Sequence, residues 1–298
     1  MSTGAGLEPA DLDPADLDPA DIGRAHRALD PIHSLIYFAP DAEQVLVAAG
    51  LRPGRMTYFA SRAAPMGAVT AGVVTATFYN FNPELIARFF PRAWTLASPE
   101  AVINARFVAA DVAMRRLLGG AIEEAPAVLE LTELIKTAAS ACRPEGRPLF
   151  AGHAGLAWPE QPHLALWHGI SLLREHRGDG HIIALASAGL SGIESLITHT
   201  ATGRGFRIPA AKQLRGWSDE QWDAAQRALR VRGVLDDEGA LTEQGVTLRA
   251  DIEAQTDILA RDPWVRLGAV GTQRLIELAK PLARRARDNG AFPAEVFA

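Results

Sequence analysis

The sequence of 298 residues contains one cysteine, Cys142, and no Cys-x-x-Cys pair. An intramolecular disulfide and a thiolate-rich structural zinc site are therefore excluded. Lysine is nearly as scarce, with three (Lys136, Lys212, Lys280) among the 30 basic residues and arginine supplying the other 27. A GC-rich coding bias accounts for that total, so each arginine has to be judged by its own surroundings. No apolar run reaches the roughly 18 residues of a membrane span, so no membrane partner is expected. The N-terminus has neither the basic nor the apolar region of a secretory signal, and a cytoplasmic location is the expectation. There is no Gly-x-Ser-x-Gly, no Walker lysine loop, no Gly-x-Gly-x-x-Gly and no His-Glu-x-x-His, so nucleophilic hydrolysis, nucleotide binding and zincin chemistry lack their usual carriers. A basic excess is missing too: the net charge is −5 and the pI about 5.9, which argues against a protein built to coat nucleic acid.

What is present is a core-forming chain, 48% hydrophobic and 22% charged, long enough for two ordinary domains. Residues 1–20 read as an acidic, mobile leader, because Asp11-Leu12-Asp13-Pro14-Ala15 is repeated as Asp16-Leu17-Asp18-Pro19-Ala20 with little apolar mass to hold it. Helical spacing then fills 21–142, including a kink or a restart at Asp30-Pro31, one buried helix over 56–79, and a long helix opened by Ser98-Pro99-Glu100 and stopped by Gly119. Residues 143–162 hold four prolines and three glycines and read as a linker. A second lobe, 163–298, opens with a helix over 163–176 that Gly178-Asp179-Gly180 should break, Asp179 capping the next helix. Ala184–Gly192 resembles Val45–Gly54, and a Trp precedes a capped helix at both Trp94 and Trp217. The N-terminal lobe therefore reads as a degenerate duplicate of the second.

Residues 217–246 are the most specific stretch. Ser218-Asp219-Glu220-Gln221 is a capping box opening a helix to Arg232. Val234-Leu235, an acidic turn and Leu241-Thr242 then suggest a hairpin. This pattern resembles the recognition helix and wing of MarR-type winged-helix proteins over about residues 165–260. The whole chain after the leader also resembles an actinobacterial family described as helix-turn-helix-like. That likeness is carried by Pro31-Ile32-His33-Ser34, Tyr58 through Gly67, Phe78-Tyr79-Asn80-Phe81-Asn82-Pro83 and Leu172 through His181. The resemblance implies a mainly α protein of two lobes, with a winged-helix-like C-terminal domain carrying a small β wing. In such a fold the long helix enters the major groove. Here its first residues are Ser218, Asp219, Glu220 and Asp223, and the wing turn is Asp236-Asp237-Glu238, which phosphates would repel. DNA binding is therefore disfavoured.

The expected function is small-molecule binding in a cleft between the lobes, the ligand anionic. Arg62, set among Ala and Ser, needs a partner or a ligand, because an unpaired buried guanidinium is costly. His33, Tyr37, Arg62, Tyr79 and Asn82 are the candidates on one side, and Arg174, Arg177 and His181 on the other. Gly178–His181 is also a candidate anion loop at a helix N-terminus. His168, His176 and Glu175 are the candidates for acid–base work. Two alternatives stand beside this reading. One is a metal- or haem-dependent enzyme using these histidines, although His168 and His176 lie about 12 Å apart along a straight helix and cannot share one metal. The other is a MarR-like, ligand-responsive regulator. A homodimer is compatible with any of the three, and the residues name no cofactor.

Overall fold

The computed structural model describes residues 17–293; most of the acidic leader and its first repeat lie outside them. The second repeat is described from Leu17 on: Asp18 accepts from Ala20 N at 2.9 Å and caps the first helix. Fifteen helices follow among the described residues. They are α1 (Pro19–Ser34), α2 (Pro40–Ala48), α3 (Arg55–Ala63), α4 (Ala71–Phe78), α5 (Pro83–Ala87), α6 (Arg92–Leu96), α7 (Pro99–Leu118) and α8 (Pro126–Ala139), then α9 (Pro148–Ala154), α10 (Pro162–Ser187), α11 (Gly192–Thr200), α12 (Ile208–Arg215), α13 (Asp219–Val231), α14 (Glu243–Leu259) and α15 (Asp262–Asp288). No single helix is long and apolar enough to cross a membrane.

The chain is mainly α, as expected, but the β wing is not there. Leu235 and Leu241 make one antiparallel bridge and no strand forms among the described residues. The arms are too short: Gly233 follows the end of α13 with φ 71°, and Thr242 already caps α14 through Gly245 N at 3.1 Å. Between them Asp236 closes the turn, its carboxylate accepting from Ala240 N at 2.8 Å. A winged-helix hairpin is thus replaced by a tight acidic turn.

Three further expectations change. The span 56–79 is two helices, because Pro65 and Gly67 (φ 83°) interrupt it. α1 continues through Pro31 without a restart. α10 runs unbroken through Gly178-Asp179-Gly180. Gly180 serves close approach: a Cβ there would stand 2.7 Å from an Arg147 Nη. Asp179 caps another helix, accepting from Phe150 N at 2.9 Å at the start of α9. The anion loop proposed for Gly178–His181 is consequently mid-helix, where backbone N–H groups are already bonded.

Three apolar clusters organise the interior. The largest joins α1, the second half of α7, α8, the first half of α10 and α15, so both ends of the described chain meet in it. A second holds the aromatic centre of α3–α6, with Phe59, Phe78 and Phe81 in mutual contact. The third centres on Trp222 and Leu229 of α13 and gathers α11, α12 and the acidic turn. Where the second and third clusters adjoin, Trp217 Nε1 donates to Asn80 O at 2.9 Å and Tyr79 Oη donates to Leu190 O.

Candidate functional site

A cavity of about 880 Å³ opens between α1, α3, α10 and α12, within the usual size for a small-molecule site. Tyr37 and Tyr58 form an aromatic wall, their ring centroids 5.1 Å apart. Behind them lies an ion-pair centre. Glu175 is fully buried and accepts from Arg62 Nε at 3.0 Å and Nη2 at 2.8 Å, and from Arg174 at 2.8 Å. Burial alone would raise its carboxyl pKa, but Arg174 and Arg62 outweigh it and hold the group well below the carboxylate range. One carboxylate thus serves two guanidiniums.

Arg215, the last residue of α12, lines the cavity with no carboxylate partner among the described residues. Its guanidinium carbon lies 4.1 Å from the Phe81 ring centroid and 4.7 Å from that of Phe206, and its Nε is buried without an acceptor. Burial pushes its pKa down to about 10. The surplus cations set the local field. Burial would raise the Tyr58 phenol, yet Arg62, Arg215 and Arg174 pull it below its ordinary value.

A buried relay supports the other tyrosine. Ser171 Oγ donates to Trp167 O at 2.8 Å, so it accepts from His33 Nδ1 at 3.0 Å. His33 Nε2 is then the acceptor for the Tyr37 hydroxyl at 3.0 Å, and Tyr37 Oη in turn accepts from Arg106 at 3.2 Å. Burial keeps His33 neutral and raises the Tyr37 phenol. Arg106 is 3% exposed and has no carboxylate; its other Nη donates to His153 Nε2 at 2.6 Å.

Of the residues singled out by sequence, Tyr37 and Arg174 line this cavity, with His33, Arg62 and Glu175 directly behind it. Arg177 and His181 line a second cavity instead. Tyr79 sits against the start of α11, its hydroxyl donating to Leu190 O, and Asn82 sits where α12 turns into α13. Asn82 N donates to Arg215 O at 2.9 Å, and its amide Nδ2 donates to Gly216 O at 2.8 Å and Gln221 Oε1 at 3.0 Å. His168 is enclosed by Trp158 and Phe107, and His176 by Phe150. Burial lowers them to about 4 and about 3 respectively. Among the described residues no three His, Cys, Asp or Glu groups converge as a metal site would require. Sequence reading missed Arg106, Tyr58 and Arg215. Arg106 carries the signal that drew attention to Arg62, a guanidinium amid apolar neighbours; Arg215 has no comparable local sign.

α11, α12 and α13 follow one another closely, with Gly216 left-handed at φ 74° between the last two. In the comparison with protein families, a helix-turn-helix family model matches residues 22–293. The chain belongs to that family. No curated protein and no solved structure matches it. In this helix-turn-helix family member Arg215 both ends α12 and lines the cavity. Its carbonyl accepts from Asn82 N and so ties the turn to the α4–α5 connection.

Proposed function

We propose that the protein is a ligand-responsive member of its helix-turn-helix family, taking a small organic anion with an aromatic or broad apolar body into the 880 Å³ cavity. The observation that carries this reading is Arg215, a desolvated guanidinium without a carboxylate partner among the described residues, set at the end of α12. A carboxylate or sulfonate would satisfy it with charge-assisted, two-pronged hydrogen bonds. Tyr37, Tyr58 and Phe206 would cover the apolar body. The same reading assigns no DNA to α13. Its exposed first turn carries Asp219, Glu220 and Asp223, and the following turn exposes Asp237 and Glu238, all unfavourable against phosphates. The signal would then pass through the α12–α13 turn to a partner other than DNA.

The test is calorimetric titration with a panel of aryl carboxylates and sulfonates, alongside the neutral amides of the same acids. At least one acid binds, its amide does not, and Arg215→Gln removes the binding. Failure of every acid up to millimolar concentration, or unchanged affinity in Arg215→Gln, overturns the proposal. A salt-dependent shift of duplex DNA by the ligand-free protein would restore α13 as a recognition helix.

A further inference from the structure

A second cavity, of about 1110 Å³, lies across Asp30, Pro31 and Arg174, which line both. Its walls come from α1, α10, the end of α11 and α14. Five arginines line it against three carboxylates, and Arg177 occupies two of those, Glu253 at 3.2 Å and Asp257 at 3.0 Å. Arg249 of α14 is 6% exposed and donates once, to the already shared Glu253 at 3.0 Å. Its Nε and other Nη have no acceptor among the described residues. Idle donors on a buried guanidinium are costly unless something else satisfies them.

His181 supplies the complementary feature. Thr256 Oγ1 donates to Ile252 O at 2.6 Å and so accepts from His181 Nδ1 at 2.8 Å. The hydrogen is therefore on Nδ1, and Nε2 is a bare acceptor on a residue that lines the cavity. Burial favours this neutral form, lowering the imidazole to about 4. Beside the carboxylates and the neutral His26 and His199 that also line the cavity, a ligand meets cationic donors next to the imidazole acceptor of His181, so an anion that still carries a proton fits.

The geometry points to the second cavity as a binding site for a hydrogen-phosphate group, its oxyanion held by Arg249 and Arg204 and its P–OH donated to His181 Nε2. The chemistry fits inorganic phosphate and a small phosphomonoester alike. A phosphodiester lacks the hydroxyl. The site is independent of the ligand assigned to the first cavity.

The test is titration of the full chain near pH 6 with inorganic phosphate, methyl phosphate and dimethyl phosphate, followed by calorimetry and by the ¹⁵N resonance of His181 Nε2. Phosphate or methyl phosphate binds and moves that resonance, and dimethyl phosphate binds at least about tenfold more weakly. Tighter binding of methyl phosphate than of inorganic phosphate assigns the site to a monoester, and the reverse order to the free ion. Arg249→Gln and Arg204→Gln each weaken binding about tenfold, whereas Arg215→Gln, which disables the first cavity, leaves it unchanged. Arg204 is exposed on a loop, so Arg204→Gln keeps the test open if Arg249→Gln fails to fold. Absence of phosphate binding in the unaltered protein, or binding that survives both substitutions, overturns the proposal.

Discussion

Arg62 and Glu175, 113 residues apart in sequence, are joined by two hydrogen bonds of 3.0 and 2.8 Å, with side chains 8% and 0% exposed. This pair fixes α3 against α10 and sets the floor of the first cavity. Glu175→Gln leaves Arg62 buried without a counter-charge. The expected loss of unfolding free energy is about 3 to 5 kcal/mol, read by urea denaturation. The double substitution Arg62→Met with Glu175→Leu should regain only part of that loss, because it removes the Arg62 charge but leaves Arg174 without its carboxylate partner. An unchanged urea midpoint in Glu175→Gln would mean that the pair contributes nothing.

Arg215 should behave in the opposite way. It has no carboxylate to orphan, and its desolvation is a standing cost. Arg215→Met therefore raises the stability of the ligand-free protein by about 1 kcal/mol while removing anion binding, the trade expected of a site residue. Differential scanning calorimetry with and without the best aryl acid gives both readings. A lowered midpoint without ligand would show Arg215 to be structural.

Acid should unfold this protein early. His153, His168 and His176 are pushed by burial to about 3, 4 and 3. Each stays neutral when folded and takes up a proton when unfolded below its usual value of about 6.5. Their folded pKa values are lowered, so stability is full above about pH 6.5 and is lost as the pH falls towards 4. At pH 5.5 these three together cost about 4 kcal/mol relative to pH 7.5. Asp179 and Asp30 work the other way, burial raising both, Asp179 to about 6, so they add stability as the pH falls from 6 towards 4, but His26, His33, His181 and His199 are lowered too and the histidines prevail. Denaturant midpoints at the two pH values check the sign, and a flat profile would contradict it.

The local grammar of the sequence was readable where it depends on neighbours. Ser98, Pro99 and Gly119 bound α7 as their chemistry requires, and Ser218 with Gln221 makes the capping box of α13. It misled where the partner is distant. Gly178-Asp179-Gly180 has the composition of a helix stop, yet its purpose is set by Arg147 and the start of α9, some 30 residues away. The wing failed for a related reason: its apolar pairs match a hairpin, but the caps of α13 and α14 leave no residues for the arms. At the site, the awkward placement of Arg62 pointed to a partner, and Glu175 lay within the cluster already singled out. Arg215 could not be found this way, because its neighbours in sequence are ordinary and its isolation exists only in the folded chain.

Gly192 tests whether the docking of α11–α13 on residues 79–82 matters. It is the first residue of α11, and a Cβ there would stand 2.0 Å from the Tyr79 carbonyl oxygen, where no side-chain rotation can relieve it. Gly192→Ala must push Tyr79 away, straining the bond from Tyr79 Oη to Leu190 O and the neighbouring bond from Trp217 Nε1 to Asn80 O. Overpacking of this kind costs about 2 kcal/mol. Ligand affinity should fall with it, because Asn82 in the same segment holds the carbonyl of Arg215. Gly72 provides the contrast. A Cβ there meets nothing nearer than Thr70 Oγ1 at 3.8 Å, so Gly72→Ala should stabilise α4 by about 0.5 kcal/mol and leave binding untouched. Equal effects of the two substitutions on denaturation and titration would show that the contact between Gly192 and Tyr79 carries no coupling.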